Sequence, residues 1–152
     1  MARNKPLSRY PSEAERKRRT RRTGAATATV RRVATLHRAA PIFPVRDLDR
    51  SLAFYRGLGF AVREYEGDGG GGGYGFVTRD GVEIHLGVIA DHAPTASKHS
   101  AYLRVDDADA LAAEWRAAGA EVHGPEDTLW GQHEGALVDP DGNVFRFGAP
   151  MR

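Results

Sequence analysis

The stretch VRDLDRSLAFYRGLG, residues 45–59, occurs a second time in the chain as VDDADALAAEWRAAG, residues 105–119. Both copies place Asp near the start, an aromatic residue followed by Arg near the end, and Gly at the last position. Further along, FVTRDGVEIHLG (76–87) matches LVDPDGNVFRFG (137–148). The offset between these copies is 61 residues, whereas that between the first two copies is 60. A repeat of this kind indicates one supersecondary unit that occurs twice.

Each repeat unit is predicted to form a strand, a helix and three further strands. A short apolar strand leads into an Asp that can cap a helix, and large apolar residues then recur at helical spacing. Gly ends the helix, and an Asp-Gly pair marks the turn of the last hairpin. The predicted strands on either side of the helix are residues 41–45 and 60–65 in the first unit, and 101–105 and 121–123 in the second. The predicted fold class is therefore α+β, with two βαβββ modules whose curled sheets form a cleft.

Charge is divided unevenly along the 152 residues, although the formal net charge is only +2. Residues 1–38 carry 12 Lys and Arg against 2 acidic residues, whereas residues 39–152 carry 10 against 18, a balance of −8. Because residues 1–38 contain few large apolar side chains, we predict a disordered basic arm. The folded body is predicted at 39–152, with modules at about 39–95 and 98–152. The arm is either a nonessential extension or a segment that binds nucleic acid or another anionic surface.

The composition limits the classes of function. No window approaches the ~18 consecutive apolar residues of a membrane span, and the first residues lack the apolar segment of a secretory signal. We therefore expect a cytoplasmic protein without a membrane partner. The chain has no Cys, which excludes disulfides and thiolate metal sites.

The paired units, together with VRDLDRSLAFYRGLGF and DPDGNVFRF, resemble the vicinal oxygen chelate superfamily over residues 39–152. This superfamily includes glyoxalase I, extradiol dioxygenases, fosfomycin-resistance enzymes and bleomycin-resistance binding proteins. Its metal-dependent members carry ligands at equivalent points of both modules, which the resemblance places here at Ala40, His85, Ser100 and Arg146. Only His85 can coordinate a metal, and a divalent ion needs three or four such ligands. We therefore expect neither a bound metal nor another cofactor.

Within that superfamily, AAPIFPVRDL, YGFVTRDGVEIHL and LWGQHEGALVDPDGN are similar to the bleomycin-resistance proteins. The resemblance implies a homodimer that exchanges its first strand around Pro41 and forms two clefts. Each cleft would sequester one cationic glycopeptide antibiotic of the bleomycin type and leave it unchanged. The ligand-binding residues implied are Tyr74, Trp130, Glu64, Tyr65, Tyr102, His85 and Gly142.

The residues support this interpretation on physical grounds. An acidic body attracts a cationic drug, and Tyr74 and Trp130 can stack on flat aromatic groups. Other interpretations stay open: Trp130 can be a core residue, and Tyr74 can be exposed without a function. The main alternative for the whole chain is a metal-dependent enzyme of the same fold, a lyase or a dioxygenase-like protein, acting on a small molecule.

Overall fold

A computed structural model describes residues 34–65, 73–94 and 99–151. None of the helices in this described part of the chain has the length and apolar character needed to cross a membrane. The internal contacts divide the chain into two units, Met1–His37 and Arg38–Arg152. The predicted basic arm lies almost wholly outside the described residues, so its disorder stays a prediction.

The described residues of the second unit form two modules with the same order of elements. The first module contains β1 (Ile42–Val45), α1 (Leu48–Gly57), β2 (Ala61–Glu64), β3 (Tyr74–Arg79) and β4 (Val82–Val88). The second contains β5 (Ser100–Arg104), α2 (Ala108–Ala117), β6 (Val122–Asp127), β7 (Gln132–Val138) and β8 (Val144–Pro150). The strand orders are β1-β4-β3-β2 and β5-β8-β7-β6. The predicted α+β fold of two βαβββ modules is confirmed, with two sheets that do not close into a barrel.

The two helices begin and end in the same way. The side chains of Asp47 and Asp107 each accept a hydrogen bond of 2.9 Å from the backbone N–H three residues later. These bonds satisfy donors that the first helical turn leaves free. After the helices, Gly59 and Gly119 adopt φ values of +84° and +85°, in the region where glycine has no Cβ penalty. The repeat in the sequence therefore fixes both helix ends.

One face of each sheet packs against a core that both modules share. On β3, Gly75 and Val77 are buried while Tyr74, Phe76 and Thr78 are only partly buried, which is the alternation of a strand with one covered face. Phe145 of β8 joins the halves of the core, because its ring lies 5.2 Å from the ring of Phe43 and 5.9 Å from that of Tyr55. The opposite face of each sheet carries polar and aromatic side chains. We call the face with Phe76 and His85 the first open face, and the face with Tyr102 and Arg146 the second open face.

The turn between β7 and β8 inserts two carboxylates beside α1. The Asp141 side chain is fully buried and accepts hydrogen bonds from Arg50 Nη2 at 2.6 Å and Ser51 Oγ at 2.9 Å. Asp139 accepts a 2.6 Å bond from the Tyr55 hydroxyl. Asn143 Nδ2 donates to the Pro44 carbonyl at 3.0 Å, which joins the same turn to β1. The last turn of the second module thus contacts both β1 and α1 of the first.

The corresponding turn of the first module makes a different contact. It is the tight Asp80-Gly81 pair, with φ values of +48° and +81°, which suits a two-residue hairpin turn. Next to it, Arg79 pairs with Glu114 of α2 through bonds of 2.7 and 3.0 Å and donates to the Leu58 carbonyl at 2.8 Å. Each module therefore presents its hairpin turn to the helix of the other, once through buried carboxylates and once through an exposed ion pair.

All four predicted strands differ from the observed ones at their ends. The strands predicted at 60–65 and 101–105 are Ala61–Glu64 and Ser100–Arg104, which differ by one residue at each end. The strand predicted at 121–123 is β6, which continues to Asp127, because the pairing with β7 shifts register between His123 and Glu126 and then resumes. Such a bulge lets a strand pass an irregular stretch and keep its partner. The first strand begins at Ile42 rather than Pro41, although the Pro41 carbonyl still accepts a 2.9 Å bond from His85 N–H.

The two buried carboxylates have opposite acid-base behaviour. Burial alone raises the pKa of Asp141, but the hydrogen bonds from Arg50, Ser51 and the Arg46 backbone hold it below its ordinary value of 3.8. Burial raises the pKa of Asp139 above its ordinary value, against the hydrogen bonds that it accepts. Asp141 is therefore the carboxylate whose ionised form stabilises the fold.

We predict that Asp141→Asn lowers the free energy of unfolding by about 1–3 kcal/mol near neutral pH, because charge-assisted hydrogen bonds to Arg50 and Arg46 are lost. A depressed folded pKa gives a stabilisation that is present above 3.8 and is lost as pH falls through the folded value. Urea unfolding at a series of pH values should therefore show the two curves converging in acid. Asp80→Asn is the control, since Asp80 holds the equivalent repeat position and its side chain is 88% exposed. Equal losses for both variants would contradict the prediction.

Candidate functional site

Polar and aromatic side chains lie at paired strand positions on the two open faces. On the first open face, β2, β3 and β4 place Arg63, Phe76 and His85 at directly paired positions. On the second, β7 and β8 pair Glu134 with Gly148 and Ala136 with Arg146, while β5 pairs Tyr102 with Arg146. Cross-strand pairs on one face lie close enough for their side chains to interact.

The first open face holds a connected layer of side chains around His85. Its Nδ1 lies 2.8 Å from the Tyr74 hydroxyl and its Nε2 lies 3.1 Å from Glu83 Oε1. Because an ionised carboxylate only accepts, Nε2 of a neutral His85 carries the proton and the Tyr74 hydroxyl donates to Nδ1. Phe76 meets the His85 ring at 4.8 Å, and Arg63 covers the Phe76 ring at 4.0 Å. The first open face therefore has the rings of Phe76 and His85 in contact, with the Arg63 guanidinium over the Phe76 ring.

The second open face holds two exposed aromatic residues on one carboxylate. Glu134 Oε1 accepts hydrogen bonds from the Tyr102 hydroxyl at 2.7 Å and from Trp130 Nε1 at 3.0 Å. These bonds, first that from Trp130 and then that from Tyr102, lower the pKa of Glu134. Trp130 is 69% exposed and Tyr102 is 44% exposed. The arrangement offers flat apolar surface and a negative charge at the same place.

Gly148 makes room for this arrangement. It lies on β8, between the strand of Tyr102 and the strand of Glu134. A Cβ at this position would overlap the Tyr102 hydroxyl oxygen and come within 2.8 Å of Glu134 Cγ. A side chain at this position would therefore force the Tyr102 or the Glu134 side chain to shift. Its repeat partner Gly87 lies in the same way beside the Tyr74 ring, where a Cβ would be 3.8 Å from the ring carbons.

The structure groups four of the predicted site residues into two pairs. Tyr74 and His85 are hydrogen-bonded on the first open face, and Tyr102 and Trp130 share a partner on the second. The two pairs lie on different sheets. The sequence reasoning missed Glu134, although the alternation with buried Gly135 and Leu137 in LWGQHEGALV could have placed it on the open face.

The remaining predicted residues lie apart from these pairs. Glu64 pairs with Gly75, whose Cβ would contact Leu48 and Leu52 of α1, so Glu64 stands on the helix-covered side. Tyr65 is 52% exposed and joins β3 through a 2.8 Å backbone bond to the Tyr74 carbonyl. These placements leave Tyr65, rather than Glu64, beside the first open face.

Gly142 and Pro41 have backbone roles in the described structure. Gly142 has a φ of +79°, and a Cβ there would overlap the Pro94 carbonyl, so the turn requires glycine. Pro41 lies just before β1, and β1 pairs with β4 of the same chain. A ligand contact at Gly142 and strand exchange at Pro41 both stay predictions.

The residues present do not fit a divalent metal. At the four positions where the resemblance to the superfamily would place metal ligands, the chain has Ala40, His85, Ser100 and Arg146. Both ring nitrogens of His85 are already engaged by Tyr74 and Glu83. Across residues 34–65, 73–94 and 99–151, no three His, Asp or Glu side chains are grouped so that they could hold an ion. These four residues are therefore better suited to stacking and hydrogen bonds with an organic ligand than to metal coordination.

Comparison with known proteins finds bleomycin resistance and bleomycin-binding proteins among those similar to this chain. A bleomycin resistance protein of Klebsiella pneumoniae is 31% identical over 116 residues, which covers 71% of this chain and 88% of that protein. A crystal structure of a bleomycin-binding protein complexed with bleomycin is 30% identical, with a TM-score of 0.66, and the match covers 75% of this chain and 98% of that one. The bleomycin-binding protein of bleomycin-producing Streptomyces verticillus, complexed with copper(II)-bleomycin, is 25% identical, with a TM-score of 0.64 and coverage of 76% and 98%.

The family model described as the glyoxalase/bleomycin resistance protein/dioxygenase superfamily matches residues 35–147, which span both modules. The paired βαβββ units, the Asp-Gly hairpin turns and the likeness to bleomycin-binding structures agree with this match. The chain belongs to the glyoxalase/bleomycin resistance protein/dioxygenase superfamily, as the resemblance of its sequence implied.

Proposed function

We propose that this protein binds an antibiotic of the bleomycin type and sequesters it without changing it. The observation that carries the proposal is the pair of exposed aromatic residues, Trp130 and Tyr102, held on Glu134 at the second open face. Large aromatic side chains fixed at an accessible surface are typical of sites that bind flat ligands. The likeness to proteins crystallised with bleomycin makes this drug class the best-supported ligand.

Charge complements the aromatic surface. Residues 39–152 carry a balance of −8, which would steer a cationic drug toward the body and speed its encounter. Stacking on an aromatic ring adds about 0.5–1.5 kcal/mol beyond the burial of area. Charge attraction and stacking together would give affinity without any chemical step. The described residues around His85 do not form a metal site that could catalyse such a step.

We further propose that the working form is a homodimer. In one chain the aromatic groups of Tyr74 and Trp130 lie on separate sheets, and each open face is left uncovered by the described residues. A second copy could supply the opposite wall of each cleft, so that a ligand would be enclosed by one face from each chain. This arrangement agrees with the strand exchange predicted at Pro41 but does not require it.

We predict that Trp130→Ala weakens the binding of copper-free bleomycin by about 1–3 kcal/mol, because stacking and burial are lost together. Calorimetric titration of the purified protein measures the change. Leu129→Ala is the matched control, since Leu129 lies next to Trp130 in the same turn and is fully exposed. A similar loss for both variants would show that the turn, rather than the indole, matters.

We predict that protection against the drug is stoichiometric. In a DNA-cleavage assay with increasing bleomycin, cleavage should be suppressed until the drug exceeds the available clefts and should then rise with the excess. Mass spectrometry of the drug recovered from the complex should show an unchanged mass. Protection that persists at a large excess of drug, or a modified drug, would instead indicate an enzyme.

We predict that dimerisation depends on the body and not on the basic arm. Sedimentation velocity at micromolar concentration should give a dimer for the full chain and for residues 39–152 alone. Raised salt should leave the dimer intact if apolar contacts dominate the interface, since screening weakens mainly exposed charge pairs. A monomeric body beside a dimeric full chain would assign the contact to the arm.

A further inference from the structure

We infer that Glu134 positions the aromatic pair of the proposed binding site and supplies the negative charge that receives the cationic group of the ligand. This inference rests on the proposed function, because it concerns the same open face. Beyond the proposed function, it assigns two separable tasks to Glu134, which are to orient the two aromatic rings and to supply a negative charge. The matching ligand carries a flat aromatic group next to a cation.

The positioning task follows from the hydrogen bonds. One oxygen of Glu134 accepts from both Trp130 Nε1 and the Tyr102 hydroxyl, so the two rings are fixed relative to each other. Hydrogen bonds to an ionised acceptor are shorter and roughly twice as strong as neutral ones. Trp130 stands in the turn between β6 and β7 and is largely exposed, so no surrounding core holds its ring. A ring that is already oriented loses less rotational freedom when a ligand stacks on it.

The position of Tyr102 depends on the sheet as well. Tyr102 and Glu134 come from β5 and β7, which are separated by β8, and Gly148 on β8 leaves the space through which the hydroxyl reaches the carboxylate. Three strands, together with the turn that carries Trp130, therefore bring Tyr102, Trp130, Glu134 and Gly148 together at one place on the second open face.

The charge task follows from the groups around the carboxylate. Arg146 on β8 is near enough to favour the ionised form, whereas Glu126 stands opposite Glu134 on β6 and adds a second negative charge. Within the described residues, both partners that donate to Glu134 are neutral groups. Its negative charge therefore stays available to a ligand. An ammonium, guanidinium or sulfonium group could sit at the carboxylate and over the Trp130 face, where a cation is attracted by the ring.

Two substitutions separate the tasks. Glu134→Gln keeps a carbonyl oxygen that can accept both hydrogen bonds but removes the charge, whereas Glu134→Ala removes both. Glu121→Gln is the control for loss of one carboxylate, because Glu121 lies in the same module, its side chain is 73% exposed and it pairs with His123, two residues along the chain.

The positioning task is measured without any drug. The chain has two Trp residues, so a ¹H–¹⁵N spectrum of the full chain contains two indole signals, and the one missing in Trp130→Phe belongs to Trp130. We expect that signal to stay close to its wild-type position and exchange rate in Glu134→Gln and Glu121→Gln. In Glu134→Ala it should move and exchange with water several-fold faster. A Trp130 signal unchanged in Glu134→Ala would overturn the positioning role.

The charge task is measured with copper-free bleomycin. We expect Glu134→Gln to bind roughly tenfold more weakly than the wild type at low salt and to show a smaller salt dependence, because exposed charges act through screened attraction. Glu134→Ala should bind more weakly still, and Glu121→Gln should bind like the wild type. Equal affinity and equal salt dependence for Glu134→Gln and the wild type would overturn the charge role.

The two measurements also distinguish this inference from the proposed function. A wild-type chain that does not bind bleomycin would contradict the proposed function. If the indole signal were nevertheless lost in Glu134→Ala and kept in Glu134→Gln, the positioning role would be supported on its own. Binding by the wild type with no difference among the Glu134 variants would leave the proposed function standing and remove the inference.

Discussion

The buried carboxylates in the turn at residues 139–143 hold the two modules of this protein together. Asp141 has no exposed side-chain surface and bonds to Ser51, while Asp139 bonds to the hydroxyl of Tyr55. Charged groups inside a protein are costly unless they are hydrogen-bonded and paired. Because these partners come from the first module, the turn can be buried only when the modules are docked. Docking also brings Phe145, just beyond the turn, to the ring of Tyr55 in the shared core.

The proposed binding site uses the open faces, because the other face of each sheet packs against the core. The first has His85 bonded to Tyr74, and the second has Trp130 and Tyr102 bonded to Glu134. Metal-dependent relatives would need several ligands converging at one point, whereas these side chains are engaged with each other. Under the proposed function, this surface of fixed rings and carboxylates would hold the cationic group of the drug by stacking and charge.

The sequence by itself determined the repeat and, through it, the two modules. The spacing of Asp, aromatic residue and Gly predicted both helices with their caps, and the Asp-Gly pairs predicted the hairpins, because these signals act within a few residues of one another. The resemblance to the superfamily rested on the same motifs. At the four positions that the resemblance assigns to metal ligands, His85 is the one residue whose side chain can coordinate a metal, so the absence of a metal stays a prediction.

Only the tertiary structure decided which distant residues meet. Alternation along a strand tells which face a side chain occupies, but it does not tell which strands are neighbours or how far one is shifted against the next. Nothing in the sequence therefore indicated that Tyr102 and Trp130 share Glu134, a contact that spans β5 to β7 across β8. For the same reason the buried pairing of Asp141 with α1, 90 residues away in the chain at Ser51, became visible only in the folded protein.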